Sequence, residues 1–329
     1  MRRIVLGTRK SALAMWQTDF VADALRAHHA DVEVEIQQFS TRGDQDLETP
    51  LPQLGGKGVF TAELERSLLD GSIDFAVHSL KDLPTDDPEG LAVLATPRRA
   101  DARDALVVRA DHLDALAAHL DADPEAYDPR DPFAALPEGA VVGTSSLRRA
   151  AQIRRARPDI TTADVRGNVG TRLRKLDEGN YDALLLACAG LDRLELGDRI
   201  HRRLDPPWLG AAGQGALAVQ GRFEDAELRE IILPLDDRAT RLEVIAERAV
   251  LSTLGGGCSL PLGVSANVSH SRLQLAARLL SPDGTAIAEA KRDGEATGRG
   301  AQRLAVILAR DLMERGAQVI LDGLEQGEA

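Results

Sequence analysis

Residues 74–84 place a serine, a lysine and an aspartate directly after a short apolar run. The apolar run, residues 73–77, predicts a buried strand, and Pro84 stops further regular structure. Polar residues at the carboxyl end of a strand in an α/β protein lie where ligands bind, so Lys81 and Asp82 could hold opposite charges in one small binding space. The alternative is a solvated turn with a weak surface ion pair, and this segment alone favours that alternative.

Arginines are concentrated at the turns that precede predicted helices. Eight arginines lie between positions 148 and 174, and four of them lie at strand-to-helix turns or in the first helical turn: Arg148, Arg149, Arg166 and Arg172. A helix amino terminus offers free N–H groups and a partial positive charge, so anions bind there. Ser145 and Ser146 add hydroxyl donors, and arginine adds a planar fork that suits carboxylates. Arg9 repeats this design in the first domain together with Ser11, which is also a natural N-cap.

Two domains that each present cationic turns to a shared cleft imply a ligand with several carboxylates or phosphates. Three further arginines, Arg154, Arg155 and Arg157, are predicted to form a solvated helix face. A nucleic-acid surface is the competing interpretation of this charge. Aromatic residues make up only 3% of the chain and the formal net charge is -12, so bases would find little to stack on and the overall charge is wrong.

The two cysteines, Cys188 and Cys258, lie far apart and form neither a metal-type nor a redox-type pair, so a disulfide framework is not indicated. Cys258 follows three glycines, which leaves its sulfur accessible as a nucleophile or an attachment point. An incidental loop cysteine is an equally good interpretation from these residues alone. Cys188 lies in an apolar strand and is predicted to be a buried core residue. His78, in the predicted strand, fits a structural role as well as a catalytic one.

A long glycine-rich segment, residues 40–58, has no convincing apolar period. A loop of this length inside a compact domain is usually functional or disordered. Glycines on both sides of Lys57 suggest a mobile segment that can deliver one ammonium group. They do not form a phosphate-binding Walker motif, which needs a Gly-Lys-Ser/Thr ending and a following helix, because Gly58 and Val59 come next.

Length and composition indicate a soluble protein of two or three domains. The chain has 329 residues, of which 43% are hydrophobic and 28% charged; this composition is ordinary for globular proteins, but the length is too great for one core. No apolar run reaches the length of a membrane-spanning helix, and the run before Arg9 is too short for a signal peptide. We therefore expect a cytoplasmic protein. Five lysines against 35 arginines fit a salt-adapted host or a GC-rich genome.

Apolar periodicity predicts an α/β fold followed by a small α+β domain. A strand at 4–7, a helix and an alternating strand at 32–36 form a β-α-β opening, which favours a parallel sheet. Strands at 140–143, 161–165 and 181–187 alternate with helices in a second such series. The tail combines a long helix, alternating strands and a closing helix.

Two segments look like crossings between the α/β domains, a charged one at 98–104 and a Gly/Ala run at 210–216. An Asp/Pro-rich segment near 121–132 is interpreted as a solvated insertion without chemistry. The predicted domains are domain 1 (1–102 with 216–235), domain 2 (103–215) and domain 3 (236–329).

Nine motifs, in order and over nearly the whole chain, resemble those of the porphobilinogen deaminase (hydroxymethylbilane synthase) family. They are GTRKSALAMWQ at 7–17, TRGD at 41–44, GGKGVF at 55–60, DFAVHSLKDLP at 74–84, VGTSSLRR at 142–149, RGNVGTRLRKLD at 166–177, AGLDRL at 189–194, GQGAL at 213–217 and ERAVLSTLGGGCSLPLG at 247–263. Any one of them alone would be unspecific, whereas the ordered set is very specific.

The resemblance implies an enzyme of tetrapyrrole (haem and porphyrin) biosynthesis. Such an enzyme joins four porphobilinogen molecules head to tail with loss of ammonia and releases hydroxymethylbilane by hydrolysis. The resemblance also implies a dipyrromethane cofactor, bound through a thioether to Cys258, and it makes Asp82 the catalytic aspartate. It further implies that domains 1 and 2 are doubly wound and resemble two-lobed (type II periplasmic-binding-protein-like) anion-binding proteins, with the cofactor carried on domain 3.

The family's carboxylate-binding groups fall on the cationic turns described above. The implied cofactor- and substrate-binding residues are Arg9, Ser11, Lys57, Ser79, Lys81, Thr144, Ser145, Ser146, Arg148, Arg149, Arg166, Asn168, Arg172 and Arg193. Asp44 and Phe60 are implied loop residues, and no metal is implied. Each pyrrole carries an acetate and a propionate, which explains a cationic cleft without a nucleic-acid or membrane partner. We expect a monomer.

Two alternatives stay open at this point. A non-enzymatic two-lobed anion-binding protein would explain the cationic turns and the crossings, but not Cys258 after three glycines. A deaminase-like protein that has lost its cofactor is the other alternative. The segment near 121–132 looks longer than the family usually has there, which leaves the local boundary of domain 2 open.

Overall fold

The structure is a computed structural model that describes residues 2–41, 61–113, 128, 130–256 and 260–326. In chain order the strands of this part are β1 (Arg2–Arg9), β2 (Val32–Phe39), β3 (Phe75–Ser79), β4 (Leu91–Ala95), β5 (Asp104–Val108), β6 (Val141–Gly143), β7 (Thr161–Ala163), β8 (Ala183–Ala187), β9 (Arg202–Arg203), β10 (Leu217–Arg222), β11 (Leu262–Ser269), β12 (Arg272–Leu280) and β13 (Ile287–Glu295). The α-helices of the same part are α1 (Ala12–His28), α2 (Ala62–Leu69), α3 (Leu147–Ala156), α4 (Val169–Asp177), α5 (Cys188–Arg193), α6 (Ala226–Ile232), α7 (Arg238–Thr253), α8 (Gly298–Glu314) and α9 (Ala317–Glu325).

The first sheet has the order β2-β1-β3-β10-β4. β1 runs parallel to β2 and β3, whereas β10 runs antiparallel to β3 and β4. Successive side chains of a strand point to opposite faces, so Ile4 and Leu6 pack with α1 and α6, while Val5 packs with α2. Helices thus cover both faces of this sheet, and we call the unit lobe 1.

The second sheet repeats the arrangement of the first. Its order is β7-β6-β8-β5-β9, with β6 parallel to β7 and β8, and with β5 antiparallel to β8 and β9. Leu106 and Val108 of β5 pack on the side of α3, and Ala105 and Val107 pack on the side of α4. This second doubly wound unit is lobe 2.

The C-terminal domain contains the antiparallel sheet β11-β12-β13 with α7 and α8 packed against it. Leu273, Leu275, Ala277 and Leu279 alternate along β12 and point into this core. The predicted fold class, two doubly wound α/β lobes and a small α+β domain, is therefore confirmed. The exact domain boundaries given above stay predictions.

The chain passes between the two lobes twice, and the two crossings lie against each other. Ala100 N donates to Gly215 O at 3.2 Å. Gly215 has a φ of +83°, and a Cβ added to it would lie 2.7 Å from the carbonyl oxygen of Ala100. Glycine is needed here because no other residue tolerates both this φ and this approach. The crossings therefore form one tight double linker.

Glu247 of α7 joins the C-terminal domain to both crossings. Its carboxylate oxygens each accept from the Arg99 guanidinium at 2.9 Å. They also accept from Gly213 N at 2.8 Å and from Ala266 N at 2.9 Å. A buried charge is stable only when it is paired and hydrogen-bonded, and here the partners come from each of the segments that meet at the linker.

The prediction of a solvated face for Arg154, Arg155 and Arg157 holds for Arg155, which is exposed, but Arg154 and Arg157 are half-buried. Arg154 donates to Pro282 O at 2.6 Å and Arg155 to Gly284 O at 3.2 Å, in the turn between β12 and β13. Arg157 donates to carbonyl oxygens within lobe 2. The cationic end of α3 thus docks on the C-terminal domain, a contact that the local sequence pattern cannot reveal.

The structure corrects one further detail of the sequence predictions and leaves another outside the described residues. Cys188 is buried, as predicted, but it begins α5 and does not lie in a strand. Most of the insertion near 121–132 lies outside the described residues. Within the described part of the chain, no helix has the length and apolar character that crossing a membrane requires.

Candidate active site

Lobe 1 contributes the end of β3 to the cleft. β3 pairs with β10 as far as Ser79, and the chain then forms one 3-10 turn, Leu80–Asp82. Leu80 is buried, and its N–H donates to Ala216 O at 3.0 Å. This anchoring leaves Lys81 half-buried and Asp82 exposed at the edge of the sheet.

A pocket of about 70 Å³ lies beside Asp82 at the amino terminus of α1. Its polar lining consists of Arg9, Ser11, Gln17, Thr61, His78, Ser79 and Asp82. Ser11 caps α1, as predicted, by accepting from Ala14 N. Gln17 Nε2 donates to Ser79 Oγ at 2.8 Å. Since both serine oxygens already accept, their hydroxyl protons can be donated to an anion in the pocket.

His78 lines the same pocket but is held as a neutral ring. It is buried, and its Nε2 lies 3.1 Å from Gln220 Oε1. The pKa of His78 is lowered to about 4, mainly by burial and to a lesser extent by the nearby Arg9, although the hydrogen bond to Gln220 Oε1 raises it. The structural role is therefore the better-supported one for this residue.

Lobe 2 presents two capped helix termini at the carboxyl ends of β6 and β7. Ser146 caps α3 by accepting from Arg149 N, and Asn168 caps α4 by accepting from Thr171 N. Thr144 Oγ1 accepts from Ser146 N at 3.2 Å. Ser145 differs, because its hydroxyl bonds both the N–H and the carbonyl of Val165 at 3.1 Å and so closes the turn.

Arg148 and Arg149 form a buried cluster with Asp104, the first residue of β5. Asp104 accepts from Arg148 Nη1 at 2.7 Å and from Arg149 Nη2 at 2.6 Å. Trp208 Nε1 and Gln214 Nε2 donate to the same carboxylate at 2.8 and 2.9 Å. Burial raises the pKa of Asp104, but the two arginines outweigh burial and hold it well below its usual range.

This cluster changes the interpretation of the two arginines. The sequence suggested free anion-binding groups, whereas both guanidinium groups already compensate an internal carboxylate. Arg148 keeps one buried atom, Nε, that has no hydrogen-bond partner in the described part of the chain. The pair thus remains strongly cationic as a whole, with two positive groups for one carboxylate.

Arg172 of α4 lies within electrostatic range of Asp82 across the cleft. Its Nε donates to Gly167 O at 2.8 Å. The pKa of Arg172 is lowered to about 10, mainly by burial and also by Arg149 and Arg166, although Asp82 raises it. Because Asp82 belongs to lobe 1 and Arg172 to lobe 2, the two lobes contribute opposite charges to one site.

Arg193 of α5 lies where the lobes meet the double linker. Its Nη2 donates to Gly215 O at 2.7 Å, and its guanidinium lies over the ring of Trp16, 5.7 Å from the ring centre. Burial lowers the pKa of Arg193 to about 10. This arginine therefore connects α1 of lobe 1, α5 of lobe 2 and the second crossing.

Lys81 lies between the charges of both lobes. Burial lowers its pKa to about 8; Asp82 and Asp104 raise it, and Arg149 and Arg148 lower it. Its Nζ lies 3.5 Å from Gln214 Oε1. Four predicted site residues, Asp44, Lys57, Phe60 and Cys258, lie outside the described residues. Among the residues that are described, no group of His, Cys, Asp and Glu could hold a metal ion.

Sequence reasoning did not identify Asp104, Gln17 or Gln214 as parts of this site. Asp104 was interpreted as one charge of a crossing segment. A signal was present, because Asp104 directly precedes four apolar residues, and a carboxylate in such a strand needs cationic partners. Nothing comparable marks the two glutamines.

Two α/β lobes around a cleft of arginine, lysine and hydroxyl groups define a two-lobed α/β architecture with an added C-terminal domain. Among solved structures, the chain is similar to the BvgS VFT2 domain of Bordetella pertussis (16% identity, 70% of this chain and 84% of that one, TM-score 0.38). It is also similar to a probable amino-acid ABC transporter binding protein of Bacillus subtilis (10% identity, 71% of this chain and 90% of that one, TM-score 0.39). A third similar structure is the substrate-binding domain of a putative molybdenum ABC transporter from Clostridium difficile (9% identity, 72% of this chain and 93% of that one, TM-score 0.40). None of these likenesses bears on the activity.

The chain belongs to the porphobilinogen deaminase family. The family model described as "Porphobilinogen deaminase, dipyromethane cofactor binding domain" matches residues 4–230, and "Porphobilinogen deaminase, C-terminal domain" matches residues 241–314. Members of this family are transferases (hydroxymethylbilane synthases) of tetrapyrrole biosynthesis, and their cofactor is dipyrromethane. Membership thus identifies the chain as an enzyme and removes the non-enzymatic alternative.

The described residues fit such a cofactor, whose rings carry acetate and propionate groups. Lys81, Arg172 and Arg193 are cations whose pKa values are lowered by burial, and Arg148 Nε is buried without a partner among the described residues. A ligand carboxylate beside these groups would favour their charged forms and complete their hydrogen bonds.

Proposed function

We propose that this chain condenses four porphobilinogen molecules stepwise, head to tail, with loss of ammonia at each step, and then releases hydroxymethylbilane by hydrolysis. The observation that carries the proposal is the position of Asp82. It is an exposed carboxylate in the turn that follows β3, and one cation from each lobe, Lys81 and Arg172, lies within electrostatic range of it. Dipyrromethane, bound through a thioether to Cys258, supplies the pyrrole on which the chain is extended.

Asp82 is the catalytic residue in this proposal. Its carboxylate accepts hydrogen bonds from pyrrole N–H groups, assists the departure of ammonia, and stabilises the positive charge that develops on the substrate. The cations nearby do not neutralise Asp82 during turnover, because ligand carboxylates occupy them.

The remaining cleft residues bind carboxylates. Cationic groups attract the acetates and propionates, and hydroxyl and amide groups donate to them: these residues are Arg9, Ser11, Ser79, Lys81, Thr144, Ser146, Arg148, Arg149, Arg166, Asn168, Arg172 and Arg193. Ser145 is expected to hold the turn that presents them, because its one hydroxyl proton already goes to Val165 O. Asp44, Lys57 and Phe60, which lie outside the described residues, are assigned to the active site only because the resemblance to the family implies it. The enzyme works as a cytoplasmic monomer on a small molecule, without nucleic acid or membrane; light scattering of the purified chain tests the oligomeric state.

The decisive variant is Asp82→Asn, which keeps the shape of the side chain but removes its charge and basicity. We expect turnover of porphobilinogen to fall by about 10² or more, the scale of a lost acid–base group, while thermal stability and cofactor content stay near those of the parent. Asp87→Asn is the matched control, because Asp87 is five residues further on and does not line the pocket. Near-normal turnover in Asp82→Asn would contradict the assignment.

The attachment site is tested by intact-protein mass spectrometry. We expect freshly purified protein to carry an added mass equal to two pyrrole units, and Cys258→Ser to lack it. Cys188→Ser is the control, because Cys188 is buried and burial raises the pKa of its thiol to about 12, which makes it a poor nucleophile. An unmodified parent protein would instead favour a deaminase-like protein that has lost its cofactor.

A further inference from the structure

Gln214 connects the end of β3 to the Asp104 cluster through a fully buried side chain. Its Nε2 donates to Ala102 O at 2.8 Å and to Asp104 Oδ1 at 2.9 Å. An amide nitrogen only donates and an amide oxygen only accepts, so these two bonds fix the orientation of the group. Its Oε1 therefore faces Lys81, with 3.5 Å between Oε1 and Nζ.

The main chain around Gln214 is held as firmly as its side chain. Gln214 O accepts from Arg99 Nε at 2.8 Å, and Gly213 N donates to Glu247 Oε2 at 2.8 Å. The flanking glycines, Gly213 and Gly215, have φ values of +71° and +83°. The amide thus has a fixed place at the linker, and the flexible stem of Lys81 is the part that adapts to it.

We propose that Gln214 is a positioning residue, which holds the Lys81 ammonium at the cleft wall so that it stays charged and available to a ligand carboxylate. The significance of this contact rests on the proposed role of Lys81, but the contact can be measured without turnover. Within the described part of the chain, the charged groups that act on Lys81 include Asp82 of its own segment, Asp104 of β5, and Arg148 and Arg149 of α3.

The physical consequence is a change in the charge of Lys81. An acceptor that faces an ammonium favours its charged form. Burial already lowers the pKa of Lys81 to about 8, so a further decrease removes charge close to neutral pH. Replacing Gln214 by an apolar side chain should therefore lower the titration midpoint of Lys81, whereas a purely structural glutamine would leave it unchanged.

Competitive labelling with trace acetic anhydride, quantified by peptide mass spectrometry from neutral to alkaline pH, measures this midpoint in the holoprotein. The chain has five lysines, and the exposed Lys291 of β13 serves as the internal reference. In Gln214→Met, which is similar in volume, we expect the Lys81 midpoint to fall by about half a unit or more relative to the parent. Gln214→Leu should shift it in the same direction, and it decides the question if the methionine variant does not fold.

Gln152→Met is the matched control. Gln152 is also buried, and its amide bonds the main chain of Leu209 at 3.1 and 3.0 Å. Thermal stability should fall in both substitutions, but the Lys81 midpoint should move only in the Gln214 variants. A folded Gln214 variant with an unchanged Lys81 midpoint overturns the proposal. Because labelling needs no turnover, this outcome is independent of whether Asp82→Asn retains activity.

The kinetic readout separates positioning from catalysis. A group that binds ligand carboxylates equally in the ground state and the transition state affects KM and leaves kcat unchanged. We therefore expect Gln214→Met to raise the KM for porphobilinogen several-fold with kcat nearly unchanged. Loss of kcat at constant KM would show that Gln214 does not act through binding by Lys81, and would also overturn the proposal.

Discussion

At the scale of single residues, burial rather than residue type decides what each group at the cleft can do. His78 and Asp82 are four positions apart and line one pocket, yet the ring is buried and the carboxylate is exposed. A histidine in a pocket is usually the first candidate for proton transfer. Here the low pKa of His78, about 4, leaves that role to the carboxylate.

The lowered pKa of His78 predicts a specific dependence of stability on pH. The folded-state pKa is about 4 and the unfolded value is about 6.5, so between these values the unfolded chain binds a proton that the folded chain does not. The stabilising contribution is therefore complete above about pH 6.5 and is lost as the pH falls towards 4. In His78→Gln, the loss of stability between about pH 7 and pH 5 should be smaller than in the parent, by up to about 2 kcal/mol.

Guanidinium denaturation at the two pH values measures this difference. His28→Gln is the control, since His28 is exposed near the end of α1. If the parent and His78→Gln lose stability in parallel on acidification, the ring is not held neutral.

The residue types of the site could be predicted from the sequence, but their pairings could not. Ser11 as an N-cap and the arginines at helix termini follow from local spacing. The bond between Asp104 and Arg149 joins residues 45 positions apart. Arg149 of α3 also donates to Leu185 O of β8, and Asp104 is within reach because β5 lies beside β8 in the folded sheet. A local pattern carries no information about such a contact.

At the scale of elements, short apolar runs and alternation sufficed to predict most strands. The central strands β3, β5 and β8 are buried on both faces, whereas the edge strand β2 alternates buried and exposed residues. The ends of strands and helices were less predictable: the strand expected at 161–165 stops at Ala163, and Cys188 already belongs to α5. Those limits depend on which backbone groups find partners in the neighbouring strand.

The double linker requires glycine at position 215, and this requirement can be tested by substitution. Gly215→Ala combines an unfavourable φ of +83° with a Cβ only 2.7 Å from Ala100 O, so it should destabilise the protein by about 2–4 kcal/mol. Gly179→Ala is a matched control, because Gly179 has a φ of +85° and nothing lies within 4 Å of the added Cβ. Its cost should be about 1 kcal/mol.

Thermal unfolding of the two alanine variants compares them directly. A lower Tm for Gly215→Ala than for Gly179→Ala shows that the close approach of the crossings, and not φ alone, is what requires glycine. Equal decreases in Tm for the two variants would mean that the linker accommodates the added Cβ without loss of stability. The close contact between Ala100 and Gly215 would then not contribute to stability.

At the scale of the whole molecule, an acidic protein with a net charge of -12 keeps a set of partly desolvated cations in its cleft. Like charges gathered in a site of low dielectric destabilise the fold unless anions compensate them. A ligand that supplies carboxylates to both lobes therefore acts as a structural component as well as a chemical one. The cofactor-free chain should be less stable than the loaded one for this reason.

Sulfate tests this idea on the cofactor-free Cys258→Ser protein. An anion that binds only the folded state stabilises it by RT ln(1 + [L]/Kd), or about 1–3 kcal/mol when its concentration is ten to a hundred times the Kd. We expect sulfate, at an ionic strength matched with potassium chloride, to raise the Tm of Cys258→Ser clearly more than that of the loaded parent. The parent is the control for the general stabilisation that sulfate gives to any fold. Equal shifts in the two forms would mean that ligand carboxylates do not occupy Lys81, Arg172 and Arg193, and the carboxylate-binding cleft would have to be sought elsewhere in the molecule.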